Sequence, residues 1–107
     1  APVLDRVRKR LHEPWTIDAL AREVRMSPRT FLRRFAEATG TSPGDWLGEA
    51  RVEAAKEMLS ETGRSVEEIA EAVGLGSAHA LRHQFRTRVK LSPLEYRRRF
   101  ASDRPHP

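Results

Sequence analysis

A chain of 107 residues without cysteine has room for one small domain or two very small ones, and it excludes disulfides, thiolate metal sites and a cysteine nucleophile. No apolar run approaches the ~18–20 residues that cross a bilayer, and the first residues lack the apolar stretch of a signal peptide. Twenty Lys and Arg against fifteen Asp and Glu leave a formal charge of +5, which points to a polyanionic partner only if the excess is concentrated on one surface.

Apolar residues recur with a helical period along the whole chain, and no segment alternates with period two over the length of a strand. The expected fold class is therefore all-α, with helices over 3–12, 17–24, 28–39, 44–61, 66–73, 78–89 and 93–99. Leu4, Val7 and Leu11 stripe the first helix. Ile17, Leu20, Ala21 and Val24 stripe the second at i, i+3, i+4, i+7. Ser27-Pro28 opens the third, a serine N-cap followed by a proline whose missing N–H costs nothing there. Phe31 and Phe35 lie one turn apart on it, and Gly40 stands where it ends.

Ser42-Pro43 precedes a fourth helix that differs from the others. Leu47, Ala50, Ala54 and Met58 mark one face, while Val52, Ala55 and Leu59 mark another. A helix apolar on two sides is gripped from two sides. About 18 residues rise roughly 27 Å, which suits a strut between two subdomains. Ser65-x-x-Glu68 opens the fifth helix with capping-box spacing, and Ser92-x-x-Glu95 opens the seventh. Val66, Ile69, Ala70 and Val73 repeat the stripe of the second helix, and Leu81, Phe85 and Val89 form that of the sixth. The polar stretch 101–107 is expected to be a disordered tail.

Sliding the chain against itself exposes a duplication. At an offset of 49, Thr16 falls on Ser65, Ile17 on Val66, Leu20 on Ile69, Ala21 on Ala70 and Val24 on Val73. At an offset of 50, Ser27 falls on Ser77, Phe31 on Leu81, Phe35 on Phe85, Ser42-Pro43 on Ser92-Pro93 and Trp46 on Tyr96. Each copy reads as a short helix, a tight turn and a longer helix, the helix-turn-helix outline. Gly74 occupies a turn position that often requires positive φ, and its counterpart is Arg25. A non-glycine there would cost on the order of 1 kcal/mol if the conformation is kept, so the first turn is open to a different shape.

Charge distribution converts the outline into a function. No Asp or Glu lies between Glu23 and Glu37, or between Glu71 and Glu95. The first window holds Arg25, Arg29, Arg33 and Arg34, and the second holds His79, Arg82, His83, Arg86, Arg88 and Lys90. Each window contains the second helix of one copy, the helix that such motifs insert into a groove of duplex DNA. With Phe31 and Phe35 inward, Arg29 and Arg33 share another face, where a planar guanidinium can pair guanine O6 and N7. Thr30 is placed for a phosphate or a thymine methyl. The duplication puts His79 and His83 at the positions of Arg29 and Arg33, a weaker pair of readers. Arg82 and Arg86 are placed to share base-edge and phosphate contacts, and Arg34, Arg88 and Arg97 to Arg99 read as backbone neutralisers or as plain solvation.

Rival readings are weaker on these residues. His79 and His83 have the i, i+4 spacing of a zinc pair, but no H-E-x-x-H glutamate lies between them and no third ligand is near in sequence. Neither a nucleophile–base set nor a phosphate-cradling glycine loop is visible, so no catalytic residue, metal or cofactor is expected. A protein-interaction surface should have a core depleted of charge, not rich in arginine. A non-specific DNA binder differs from a selective one in its specificity ratio.

The stretches "IDALAREVRMSPRTFLRRFAEATGTSP" and "VEEIAEAVGLGSAHALRHQFRTRVKLSPLEYRRRF", joined by "RVEAAKEMLSETGRS", resemble the C-terminal DNA-binding domain of the AraC/XylS family of bacterial transcription regulators. The resemblance implies one DNA-binding domain over 1–107, with a first helix-turn-helix unit at 3–41, a linker helix at 43–62 and a second unit at 65–100. It implies two recognition helices in successive major grooves of a double-stranded operator. Carried onto this chain, the base-reading residues are Arg29, Leu32 and Arg33 in the first unit and Ala78, His79, Arg82 and His83 in the second. The phosphate contacts are Ser27, Thr30, Arg34, Ser77, Arg86, Arg88 and Arg97. Leu32 is apolar where many members of the family hold a polar reader.

The resemblance further implies a cytoplasmic, nucleoid-associated protein with RNA polymerase as a candidate partner and no membrane contact. The family usually carries a separate ligand-sensing or dimerisation domain, which is expected to be absent here, as in a fragment of a larger regulator. The branch it is most similar to has a sensor like glutamine amidotransferase or DJ-1. A duplex turn of ~34–36 Å exceeds the strut, so the DNA should bend or one unit insert incompletely.

Overall fold

The computed structural model describes residues 2–101. Helices α1 (Pro2–Arg8), α2 (Ile17–Glu23), α3 (Pro28–Thr39), α4 (Pro43–Glu61), α5 (Val66–Ala72), α6 (Ala78–Arg88) and α7 (Pro93–Phe100) follow in order, and there is no strand among the described residues. Six of them match the periodicity to within one residue at each end. The exception is α1, which stops at Arg8 although its apolar stripe continues to Leu11. Past Arg8 the ladder tightens, the Arg10 amide donating to the Val7 carbonyl at 2.9 Å in a three-residue step, and Pro14, which has no N–H, leaves the Arg10 carbonyl without a donor four residues on. That carbonyl accepts instead from the Trp15 indole Nε1 at 2.9 Å and from the Glu13 amide at 3.1 Å. Of the expected tail, residues 102–107 lie outside the described residues.

The chain divides into two compact units, Ala1–Ala50 and Arg51–Pro107. In the first, Val7, Leu11, Leu20, Ala21, Phe31, Phe35 and Leu47 are buried. Ala21, 1% exposed, presents only a methyl group, so α3 can approach α2 closely. Phe35 meets Trp46 edge-on, with ring centres 6.4 Å apart and planes at 79°. In the second unit, Val52, Ala55, Leu59, Val66, Ile69, Ala70, Val73, Leu81 and Phe85 form one core. There Phe85 meets Tyr96 edge-on at 6.0 Å, again at 79°. The aromatic pairs stand fifty residues apart in sequence, so the duplication extends to side-chain geometry. The leading residues of α4, through Leu47, belong to the first core, and Val52, Ala55 and Leu59 belong to the second.

Caps repeat in the same way. Thr16 and Ser65 accept from the Ala19 and Glu68 amides at 3.0 and 3.1 Å. Ser27 and Ser77 accept from Thr30 and Ala80 at 3.2 and 3.1 Å. Ser42 and Ser92 accept from Asp45 and Glu95, both at 3.1 Å. Each cap satisfies an amide that would otherwise lack an intrahelical partner, worth ~1 kcal/mol.

The two helix-turn-helix turns are also alike. Met26 N–H donates to the Ala21 carbonyl at 3.0 Å and Leu75 N–H to the Ala70 carbonyl at 2.9 Å. Arg25 and Gly74 donate to Arg22 and Glu71 at 3.2 and 3.1 Å. Both pairs form a Schellman closure, whose central residue must be left-handed. Gly74 has φ 87° and Arg25 has φ 57°. The first turn therefore keeps the shape of the second, and Arg25 bears a cost of ~1–2 kcal/mol for it.

Candidate nucleic-acid interface

The two second helices of the motifs turn one face inward and leave a basic face outside. On α3, Phe31 and Phe35 are 5% and 7% exposed, whereas Arg29, Leu32, Arg33 and Arg34 are exposed. At 100° per residue, Arg29 and Arg33 point away from the two phenylalanines, and Leu32 lies on the flank, about 80° from their mean direction. Leu32 is one of three large apolar side chains exposed among the described residues, at 42%. Glu37 shares a shallow concavity with Arg33, Arg34 and Ala38, so the uninterrupted positive surface is the N-terminal part of α3.

On α6, Leu81 and Phe85 are fully buried, and His79, Arg82, His83 and Arg86 are exposed. Ala78 is half-buried and packs against the core. Arg88 is half-buried, and its Nε donates to Gln84 Oε1 at 2.7 Å. Ser27 and Ser77 are exposed caps at the entrances of α3 and α6. The Ser27 hydroxyl also donates to Thr30 Oγ1 at 3.0 Å, which orients both hydroxyls at that helix entrance.

Arg97 is engaged inside its own unit. Its Nε donates to the Leu59 carbonyl at 3.1 Å, and its Nη2 donates to the carbonyls of Thr62 and Arg64 at 3.3 and 2.6 Å. The guanidinium thus supplies donors to the C-terminal end of α4 and the loop beyond it, a common need of helix ends. Sequence position gave no hint of this, because the acceptors lie more than thirty residues away. Lys90, counted in the second basic window but given no contact there, is exposed just beyond α6 with φ 68°. Its signal was the alignment with Gly40, which has φ 73°.

His12, His79 and His83 join no set of three His, Asp or Glu side chains with metal-binding geometry among the described residues. His106 lies outside them. No described helix is long and apolar enough to cross a membrane.

Two turns of one geometry, each followed by a helix with an outward basic face, define a tandem helix-turn-helix domain. A family model described as a helix-turn-helix domain matches residues 20–99, about three quarters of the chain, and the chain belongs to that family. Its AraC-type character, expected from the sequence, is borne out by its relatives. One structure of that description, a transcriptional regulator with an AraC-type DNA-binding domain from Chromobacterium violaceum, is similar with a TM-score of 0.85 and 26% identity, covering 95% of this chain and 91% of the other. The DNA-binding domain of AdpA, a global transcriptional factor solved in complex with a target DNA, is similar with a TM-score of 0.89 and 38% identity, covering 99% and 96%. The helix-turn-helix transcriptional regulator Rv1931c of Mycobacterium tuberculosis is 42% identical over 85 residues, 79% of this chain and 33% of that protein. This chain spans about a quarter to a third of the length of the first curated relatives it matches.

Proposed function

We propose that this chain binds double-stranded DNA sequence-specifically as the DNA-binding part of a bacterial transcription regulator, with α3 and α6 as its recognition helices. The observation that carries the reading is the acid-free outward face on the second helix of each motif, against an inward face of Phe31 and Phe35 or of Leu81 and Phe85. The DNA-bound AdpA domain supports it as a similar protein. The units at 3–41 and 65–100, joined by a linker helix at 43–62, act as two readers on one operator.

Arg29 and Arg33 read guanine edges, and Leu32 offers apolar surface to a thymine methyl beside them. His79, Arg82 and His83 read in the second unit, where Ala78 contributes close backbone approach. Ser27, Thr30, Arg34, Ser77, Arg86 and Arg88 contact phosphates and fix register. Arg97 serves the fold in place of the phosphate contact read from sequence. The role is binding without a catalytic step, in the cytoplasm and on the nucleoid, with RNA polymerase as a further partner.

Selection from random duplexes at physiological salt, read by sequencing, tests this reading. The expected result is an enriched motif bound ~10³-fold or more tighter than random DNA. Equal affinity for all sequences would reduce the protein to a non-specific binder. Cleavage protection on the selected duplex should show two protected segments, one per recognition helix.

A further inference from the structure

Arg82, Arg86 and Lys90 follow one another at four-residue steps and, with Leu91, Ser92 and Glu95, line a concavity of about 410 Å³. Fifty residues earlier the same stripe reads Leu32, Ala36 and Gly40, with no charge. The duplicated units thus differ at a defined place. One presents three cations over a hollow, the other an uncharged strip.

Lys90 is the informative member. Its φ of 68° matches the 73° of Gly40, and its amide donates to the Phe85 carbonyl at 2.9 Å, so the turn is the tight closure that glycine makes freely. A lysine there carries the steric cost of a left-handed Cβ. A cation also gains from the dipole at a helix C-terminus, but that gain is the smaller of the two. Strain of this kind persists where the side chain is needed. The one carboxylate lining the hollow, Glu95, accepts from the Ser92 amide at 2.9 Å in the capping box of α7. It is therefore committed to the helix end.

We infer that Lys90 is a phosphate-binding residue, forming with Arg86 a paired-cation grip on a backbone phosphate of duplex DNA that only the second unit possesses, next to Arg82, which reads a base edge from the same stripe. The inference rests on the DNA-binding reading above and deepens it. The second unit supplies sequence-independent grip at the Arg86 and Lys90 end of this stripe, while the first uses the equivalent strip, through Leu32, beside its base-reading arginines.

The test measures affinity for the selected duplex and for a scrambled one across a salt series, with Lys90→Gly, Lys90→Gln and Lys90→Arg. Removing one phosphate contact should lower the slope of log affinity against log salt by about one and weaken binding roughly fivefold to tenfold at ~0.1 M salt. Lys90→Gly and Lys90→Gln should show that loss equally on both duplexes, and Lys90→Arg should retain the slope. Lys90→Gly should also melt no lower than the parent chain, since it restores the residue the turn favours. An unchanged slope and affinity in both neutral variants would overturn the proposal, as would a changed base preference at constant slope. Failure of the unaltered chain to bind any duplex strikes the DNA-binding reading itself, and is distinguishable because no variant is involved.

Discussion

At the scale of single residues, the arginines divide by what their guanidinium groups can reach. Arg33 lies opposite the buried face of α3 and is exposed, so its fork is available to a base edge. Arg33→Ala is expected to cost ~1–3 kcal/mol on the selected duplex and to relax preference at one position. Equal loss on selected and random DNA, read by competition binding, would move Arg33 to the phosphates. Arg97 belongs to the other group, because three carbonyls of α4 and its following loop hold it. Arg97→Ala should lower stability by about 1–3 kcal/mol, or several degrees of melting temperature, with the salt slope of DNA binding unchanged. A lost unit of slope at constant melting temperature would return Arg97 to the interface. Both residues look alike in sequence, and only their surroundings separate them.

At the scale of elements, turns and caps decide stability. Arg25 and Gly74 occupy one conformation in two copies, at φ 57° and 87°. Gly74→Ala is expected to cost about 1 kcal/mol, and Arg25→Gly to gain up to about as much, less the entropy of an added glycine. Denaturant midpoints of the two variants check the opposite signs; a destabilised Arg25→Gly would mean that the arginine side chain stabilises its turn.

Glu68 and Glu95 illustrate a second device. Each accepts from the backbone amide of its capping serine, at 3.0 and 2.9 Å, and hydrogen bonding from the Ser65 and Ser92 backbones holds both carboxyls below their ordinary value of 4.5. A carboxyl with a depressed folded-state pKa stabilises above its unfolded value and loses that contribution as pH falls through the folded one. Stability should therefore be level above about pH 5 and decline below 4.5. Glu68→Gln and Glu95→Gln should flatten that decline in melts taken across pH; an unaltered acid limb would show that the boxes contribute nothing to it.

At the scale of the whole molecule, duplication made much of the fold legible. Helical period and punctuation located α2 to α7 because serine caps, N-terminal prolines and apolar stripes agree locally. The end of α1 was not legible because the backbone departs from the stripe: the Arg10 amide bonds to Val7, three residues back, while Leu11 stays buried in the turn that follows. The basic faces were legible because Phe31, Phe35, Leu81 and Phe85 set which side turns inward. What Arg97 touches was not legible, since its acceptors are distant in sequence.

Local interactions are written in the order of residues, so the chain alone determined its helices, its twofold internal repeat and the sign of its outward faces. The third dimension decided which cations are committed to backbone carbonyls, that Arg25 keeps the left-handed turn of its glycine counterpart, and that Lys90 shares a hollow with Arg82 and Arg86. Those outcomes depend on groups from separate segments arriving within a few ångströms of one another, and on backbone angles that packing imposes against local preference.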